Sequence, residues 1–423
     1  MAEDIGRARS LPQLNYNYRW MRNEYESNQP TVNFTGTSSI NFESCANASD
    51  QLACLIQGLL GVEIGTQSST YTSTESSLTL SQVIYDPDVG ADRNKGRARA
   101  VQAAAEMAAA EKELMVRVLD AYLDVLGAED EARLALQQLE SIAAQQMLAQ
   151  RRYELGVGRE TEVYDAQAAY DMQVMAYETA RAQHFVALHK LSQITGVQIE
   201  GVQRVSPRMP VELPYPDNVE EWVEKAMQRN DSIKAAEAVA RISVYEMRRH
   251  RAARFPRVNL AANYHERELR GGQGFTPASE TTSVGVDIHL PLYRGGAISA
   301  GKRQAAYREM EASDKVNLQR NNVQTAMVSA LLMTRNEVER FQARQRAVNS
   351  SRKSLEITER SYTEGGSTLL DLLQVQKNYY EARQQLSRAR YDYIRRMFEI
   401  KQLAGILSMD DIRQYNAWFQ PEN

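Results

Sequence analysis

A chain of 423 residues, 43% of them hydrophobic and 25% charged, has the composition of an ordered protein. Its net charge is only −4, and acidic and basic residues are mixed along the sequence, which excludes a basic field for binding nucleic acid. No segment approaches the roughly 18 to 20 apolar residues of a membrane-spanning helix, so a chain that crossed a membrane would have to use strands.

The first predicted element is a pair of strands. From Leu14 to Trp20 every second residue is apolar, and the same period of two returns from Leu78 to Ile84. Such alternation predicts strands with one apolar and one polar face. We therefore predict a first β-hairpin over about 12–86.

The polar loop inside this hairpin carries both cysteines of the chain, Cys45 and Cys54. So close a pair suits a small loop closed by a disulfide in an oxidising compartment. The alternative is a pair of reduced thiols in a cytosolic loop.

A long, alanine-rich helix follows the return strand. Asp86 is a suitable N-cap, Pro87 fits the first helical turn, and no proline occurs from Asp88 to Arg152. At about 1.5 Å per residue, this helix would be roughly 95 Å long, which exceeds what a globular core needs. A glycine turn and a second helix come next, so we predict a helical hairpin over about 87–196.

A proline-rich linker over 197–218 precedes a second run of the same elements in the same order. We predict an amphipathic helix over about 219–254, a β-hairpin over about 256–293 and a helical hairpin over about 297–405, followed by a tail over 408–423.

The chain is therefore predicted to contain two copies of one structural unit, 1–196 and 219–407. A shift of 209 residues superposes Tyr153 on Tyr362, Tyr170 on Tyr379 and Gly196 on Gly405. The helix that precedes the strands of the second repeat has only residues 2–10 as its counterpart in the first, so we expect roughly 35 residues to be absent from the N-terminus.

Four strands per chain have a consequence for assembly. They cannot close a barrel, and an open sheet edge in lipid leaves backbone groups unpaired at a cost of several kcal/mol each. Two copies would give a narrow barrel filled by side chains, whereas three copies leave room for a channel. The sequence thus favours a homotrimer.

Four segments carry a family resemblance: Ala8–Leu14, Leu80–Asp86, Leu191–Gly196 and Ala389–Tyr393. Together with the order of elements, they resemble the TolC-like outer-membrane efflux proteins over nearly the whole chain. The resemblance implies an α+β membrane protein, a trimeric 12-stranded outer-membrane β-barrel continued by a long periplasmic α-helical coiled-coil barrel. It also implies contact with outer-membrane lipid, a periplasmic membrane-fusion adaptor, and an inner-membrane ABC or proton-driven transporter that supplies the energy.

The resemblance also implies a gate at the periplasmic end of the tunnel, where acidic side chains ring a constriction. The matching positions are Glu162, Asp165, Asp371 and Gln374, the last of which carries no charge. Tyr362 resembles the tyrosine that latches the closed state to a carboxylate of the neighbouring helix pair, here Glu162.

Two features around this gate have alternatives. Ser367 lies where the family has an arginine, so Arg159 is the candidate for that contact. Asp371 also fits a capping box with Thr368, and Tyr362 also fits ordinary packing between helices. The turns expected to dock the adaptor contain Gly156, Val157, Gly158, Gly365, Gly366 and Thr368.

The function that the resemblance implies is passive export. The resemblance extends to the tail from Leu403 to Trp418, and this favours type I protein secretion. The alternatives are a multidrug efflux channel and, from another class, a soluble coiled-coil scaffold, against which the alternating strands argue. The five histidines lack metal-ligand spacing, and no metalloprotease, nucleophile-elbow or phosphate-loop motif is present. We therefore expect no metal site, no cofactor and no enzymatic activity.

Overall fold

The computed structural model describes residues 8, 10–27, 31–32, 62–63, 67–206, 208–270, 278–416 and 418–420. The predicted disulfide between Cys45 and Cys54 lies outside these residues. The chain divides into two compact units, Met1–Arg97 with Tyr245–Ala305, and Ala98–Val244 with Ala306–Asn423.

The elements run in chain order as β1 (Gln13–Ser27), β2 (Thr31–Val32), β3 (Val62–Glu63), β4 (Gln67–Tyr85), α1 (Pro87–Glu154), α2 (Glu160–Thr195), β5 (Arg204–Val205), α3 (Val219–Arg229), α4 (Asp231–Ala252), β6 (Arg257–Arg270), β7 (Ala278–His289), α5 (Ala297–Thr363), α6 (Leu369–Leu403), α7 (Met409–Asn416) and β8 (Phe419–Gln420). Among the described residues, no helix combines the length and the apolar character needed to cross a membrane.

The first unit contains a four-stranded antiparallel sheet in the order β1-β4-β6-β7. This confirms the four strands per chain that the alternation predicts. The register aligns Leu14 with Leu80, Leu80 with Ala262, and Ala262 with Val284. Because side chains alternate along a strand, these residues share one apolar face and the polar residues between them share the other.

The start of β6 is tied to the helix that follows β4. The Arg257 guanidinium lies 3.6 Å from Asp86 Oδ1 and also donates a hydrogen bond to the Asp88 carboxylate. Asp86 precedes α1 and Asp88 lies in its first turn, so both carboxylates also interact favourably with the positive end of the helix dipole.

The core of the second unit is built between helices. Leu123 and Leu126 of α1 pack with Ile394 and Phe398 of α6. A second cluster joins α3 and α4 to α5 and α6; its buried members include Trp222, Ala226, Ile233, Met327 and Ile400.

The predicted linker over 197–218 forms part of this core. Val205 and Met209 are buried in the cluster of α1 and α6, and β5 pairs antiparallel with β8. The Tyr393 hydroxyl donates to the backbone oxygen of Glu212 at 2.8 Å. The described residues of this segment therefore pack against α1 and α6.

The prediction of a single helix over about 219–254 is wrong, because α3 and α4 are separated at Asn230. The Asn230 side-chain oxygen accepts hydrogen bonds from the backbone N–H groups of Ser232 (3.0 Å) and Ile233 (3.2 Å). Its amide nitrogen donates to the backbone oxygen of Leu403 at 2.9 Å. One asparagine thus caps the new helix and anchors the break to α6.

Candidate functional site

Both helical hairpins turn on glycines in the left-handed conformation. Gly156 has a φ of 75° and Gly365 a φ of 82°. The N–H groups of Val157 and Gly158 both donate to the Arg152 carbonyl, and Gly366 N–H donates to the Ser361 carbonyl at 2.8 Å. These bonds satisfy the last carbonyls of α1 and α5, as C-terminal capping requires.

The two turns leave little room for side chains at their second glycine. A Cβ on Gly158 would lie 2.9 Å from the Arg152 carbonyl carbon, and one on Gly366 would lie 3.0 Å from Ser361 Oγ. Val157 between the glycines of the first turn is 69% exposed, so this turn presents an apolar tip to its surroundings.

The start of α6 is fixed by a capping box between Thr368 and Asp371. The Thr368 hydroxyl and backbone N–H donate to Asp371 Oδ2 at 2.6 and 3.1 Å, and the Asp371 N–H donates to Thr368 Oγ1 at 3.2 Å. The hydrogen bonds from Thr368 lower the pKa of the Asp371 carboxyl. Because the folded pKa is depressed, the charge and the cap persist as the pH falls below the usual range of aspartate.

The other three positions of the predicted acidic ring differ in their burial and in their contacts. Glu162 is half-buried in the first turn of α2, whereas Asp165 is exposed. Exposed Gln374 donates to Asn378 Oδ1 at 2.9 Å. Asp165 and Asp371 are thus the two exposed carboxylates of this set.

The structure also describes Arg159 and Ser367, the two residues considered for the arginine contact of the predicted gate. Arg159 is exposed at the N-cap position of α2 and makes no side-chain capping hydrogen bond there. Ser367 is half-buried, and its hydroxyl donates to Ser361 Oγ at 2.7 Å. Ser367 therefore stabilises the turn between α5 and α6 by a hydrogen bond within that turn.

Tyr362 lies in a cluster where all four long helices meet. The tyrosine is 2% exposed and shares the cluster with Ala149 of α1, Ala166 of α2 and Leu372 of α6. Burial raises the pKa of the Tyr362 hydroxyl, the Glu162 carboxylate raises it further, and Arg152 opposes the rise. Within the described part of the chain, this buried hydroxyl has no hydrogen-bond partner.

Arg152 is a contributor that the sequence did not reveal. Its guanidinium carbon lies 5.1 Å from the centroid of the Tyr362 ring, and its Nη1 donates to the Tyr362 backbone oxygen at 3.5 Å. A cation over an aromatic face is attractive, so Arg152 joins the end of α1 to the end of α5. The only sequence signal is a basic residue in the last turn of a helix, which by itself indicates no more than a favourable helix dipole.

Tyr362→Phe tests whether the hydroxyl takes part in any latch. We expect the free energy of unfolding to be unchanged or to rise by about 1 kcal/mol, since an unpartnered buried hydroxyl is removed while the ring contact with Arg152 stays. Denaturant titration followed by circular dichroism measures this change.

The matched control for Tyr362→Phe is Tyr380→Phe, because the Tyr380 hydroxyl donates to the Gln137 carbonyl at 3.2 Å. The control should cost about 1 kcal/mol, the usual net contribution of one hydrogen bond. A comparable loss for Tyr362→Phe in the assembled protein would show that the hydroxyl has a hydrogen-bond partner, either Arg152 or a residue of another copy.

The described residues contain no group of three or more His, Cys, Asp or Glu side chains placed to hold a metal ion. Exposed carboxylates, a stacked arginine and a buried tyrosine hydroxyl all lie near the points where the helical hairpins reverse.

Known proteins share this arrangement of elements. The chain matches the profile of the family described as "Outer membrane efflux protein" over residues 3–197 and 222–406. It is 29% identical over 356 residues to the alkaline protease secretion protein AprF of Pseudomonas aeruginosa, covering 82% of this chain and 73% of AprF. It is 26% identical over 356 residues to the proteases secretion protein PrtF of Dickeya chrysanthemi, covering 83% of this chain and 76% of PrtF. The structure of the outer-membrane channel OprN is similar, with a TM-score of 0.69 and 20% identity over 95% of this chain and 83% of that chain.

Proposed function

Because this chain belongs to the outer membrane efflux protein family, we propose that it is a passive outer-membrane channel for export, with protein secreted by a type I system as its cargo. The observation that carries the proposal is the match of both halves of the chain to the family, 3–197 and 222–406. The choice of protein cargo is supported by the names of AprF and PrtF, which are both protease secretion proteins.

The assembly that we propose is a homotrimer. The sheet contributes four strands per chain, and the outer edges of β1 and β7 are unpaired within the described residues. Pairing β7 of one copy with β1 of the next would satisfy both edges and enclose a channel wide enough for cargo. A periplasmic adaptor would recruit the channel, and an inner-membrane transporter would supply the energy, because a passive channel has no energy source of its own.

The gate that we propose lies at the two helical turns. Asp165 and Asp371 are exposed near these turns, so several copies would bring their carboxylates around one axis. A ring of carboxylates favours cations and binds divalent ions. The adaptor would dock on the turns that carry Gly156 and Gly365.

Single-channel conductance in a planar bilayer tests this gate. We expect small cation-selective currents that divalent cations block from the periplasmic side. Asp165→Asn and Asp371→Asn should each weaken this block about tenfold, because each removes one charged ligand per chain worth about 1.4 kcal/mol.

Two further variants separate charge from structure. Asp371→Ala removes both the charge and the capping box, whereas Asp371→Asn keeps an acceptor for the Thr368 hydrogen bonds. If the two variants weaken the block equally, the block depends on the charge of Asp371 and not on the capping box.

The control is Asp410→Asn, which neutralises an exposed carboxylate on α7 and should leave the block unchanged. No conductance from a correctly assembled protein would contradict the channel and favour the soluble scaffold.

Cargo is tested separately in cells that lack the channel. Complementation should restore secretion of a type I protein substrate more fully than it restores resistance to small toxic compounds. The reverse result would assign the chain to multidrug efflux.

A further inference from the structure

A basic cavity lies in the first unit, at the end of the sheet from which the helices continue. Its volume is about 480 Å³, and it is formed by the end of α4, the segment after β7 and the first turns of α5. Five basic side chains line it: His250, Arg251, Arg254, Arg294 and Lys302. The lining contains no acidic residue, which distinguishes it from the rest of a chain rich in ion pairs.

Among the basic residues that line this cavity, His250 is the only one with a carboxylate neighbour in the described part of the chain, since its Nε2 lies 3.7 Å from Glu246 Oε1. Arg251 contacts the Met247 sulfur at 3.7 Å, and Arg294 contacts His289 Nε2 at 3.1 Å. The Arg254 guanidinium lies 5.5 Å from the centre of the Phe255 ring. Within the described residues, none of these arginines forms an ion pair with a carboxylate, and neither does Lys302. An anion from outside the chain would therefore bind without displacing an internal partner.

The helix dipole of α4 explains only some of the basic residues that line the cavity. Basic residues in the last turn of α4 favour the negative end of the helix dipole, which accounts for His250 and Arg251. It does not account for Arg294 or Lys302, which lie on other elements and converge on the same space.

The internal repeat gives an independent comparison. The turn after β4 carries Asp86 and Asp88, and both contact Arg257. Arg294 and Gly296 occupy the corresponding positions after β7. Where the first copy of this turn has two aspartates, the second copy has an arginine and a glycine. Arg294 and Gly296 both line the cavity.

The surroundings of the cavity match a membrane interface. Val284, Val286 and Ile288 on the apolar face of β7 are 73%, 57% and 66% exposed. The chain continues into the cavity with Leu292 and Tyr293, which are 90% and 87% exposed. Tyrosine is enriched where hydrocarbon meets headgroups, and basic pockets at that depth bind anionic lipid headgroups.

We propose that this cavity binds the phosphate headgroup of an anionic phospholipid from the periplasmic leaflet of the outer membrane. Arg251, Arg294 and Lys302 donate hydrogen bonds to the phosphate oxygens, and Leu292 and Tyr293 contact the upper part of the acyl chains. The site rests on the outer-membrane placement of the sheet and is independent of the proposed cargo and gate.

Native mass spectrometry of the assembled protein in detergent tests the site. The probes are phosphatidylglycerol and phosphatidylcholine with identical acyl chains. Phosphatidylglycerol should bind more tightly, and the double variant Arg251→Gln, Lys302→Gln should bind it roughly thirtyfold more weakly, because each basic residue near an anionic lipid contributes about fivefold. The matched control, Arg346→Gln with Lys353→Gln, removes the same charge from exposed positions on α5 and should keep the parent affinity.

Several results would overturn the lipid site. Equal binding of the two lipids, or equal weakening by the control variant, would show that the cavity has no headgroup preference. Displacement of phosphatidylglycerol by excess inorganic phosphate would assign the cavity to free phosphate. Dissociation of the assembly in the double variant would assign it to a contact between copies. The conductance of the double variant should equal that of the parent protein. Loss of lipid binding can therefore be distinguished from loss of the proposed channel function.

Discussion

Replacing Gly405 with alanine should lower the free energy of unfolding by about 4 kcal/mol, because the new side chain meets backbone that cannot move away. Gly405 lies just beyond the C-terminus of α6 and has a φ of 70°. A Cβ there would lie 2.4 Å from the Arg229 carbonyl oxygen and 2.6 Å from its carbon. Relief would require moving the junction between α3 and α4, which Asn230 ties to the Leu403 carbonyl.

The repeat provides the control for this change. Gly196 corresponds to Gly405, has the same φ of 70°, and has no atom within 4 Å of an added Cβ. Gly196→Ala should therefore cost only about 1 kcal/mol, the penalty of a left-handed alanine. Denaturant titration of both variants, followed by helical circular dichroism, measures the difference. Equal losses would mean that the contact with Arg229 relaxes freely and that conformation alone sets the cost.

Replacing Lys112 with methionine should cost about 3 kcal/mol, because it leaves a buried carboxylate without its main partner. Lys112 of α1 forms an ion pair with Asp231, whose side chain is 9% exposed, and donates to the Gly405 carbonyl at 2.8 Å. Lys234 is also 3.1 Å from Asp231, but its side chain is 47% exposed, so it compensates only in part.

The control for Lys112 is Lys315→Met, which breaks an exposed pair with Glu311 within one helix. Exposed pairs contribute at most about 1 kcal/mol, so this variant should remain close to the parent in the same titration. The two-residue cycle with Asp231→Asn adds a direct test. A coupling energy near zero between Lys112 and Asp231 would contradict the buried ion pair.

The features that the sequence predicted are those that depend on local patterns. Alternation from Leu14 to Trp20 identifies a strand because side chains alternate between the two faces of a sheet. The capping box of Thr368 and Asp371 follows from a spacing of three residues. Both patterns are complete within a few residues of the chain, so no tertiary contact is needed to recognise them.

The features that escaped prediction depend on contacts between distant residues. The break at Asn230 looks like helix in the sequence, since the amphipathic pattern continues across it, and it is held by Leu403 from another helix. Arg152 contacts Tyr362 only because two hairpins pack side by side. The site residues proposed for the gate were located from a resemblance, and their charge effects stay a prediction until conductance is measured.

The edge strands of the sheet have a genetic consequence. Among the described strands, β1 and β7 occupy the two edges and differ in sequence, so each copy would offer its neighbours two unlike edges. Contacts between unlike edges run head to tail, and a ring of this type closes only if every contact forms. A proline in β7 at a position whose N–H points away from β6 would remove a donor to the next copy and weaken the closure of every ring that includes the altered chain. An allele with such a change would therefore be dominant over the intact allele in a cell that expresses both.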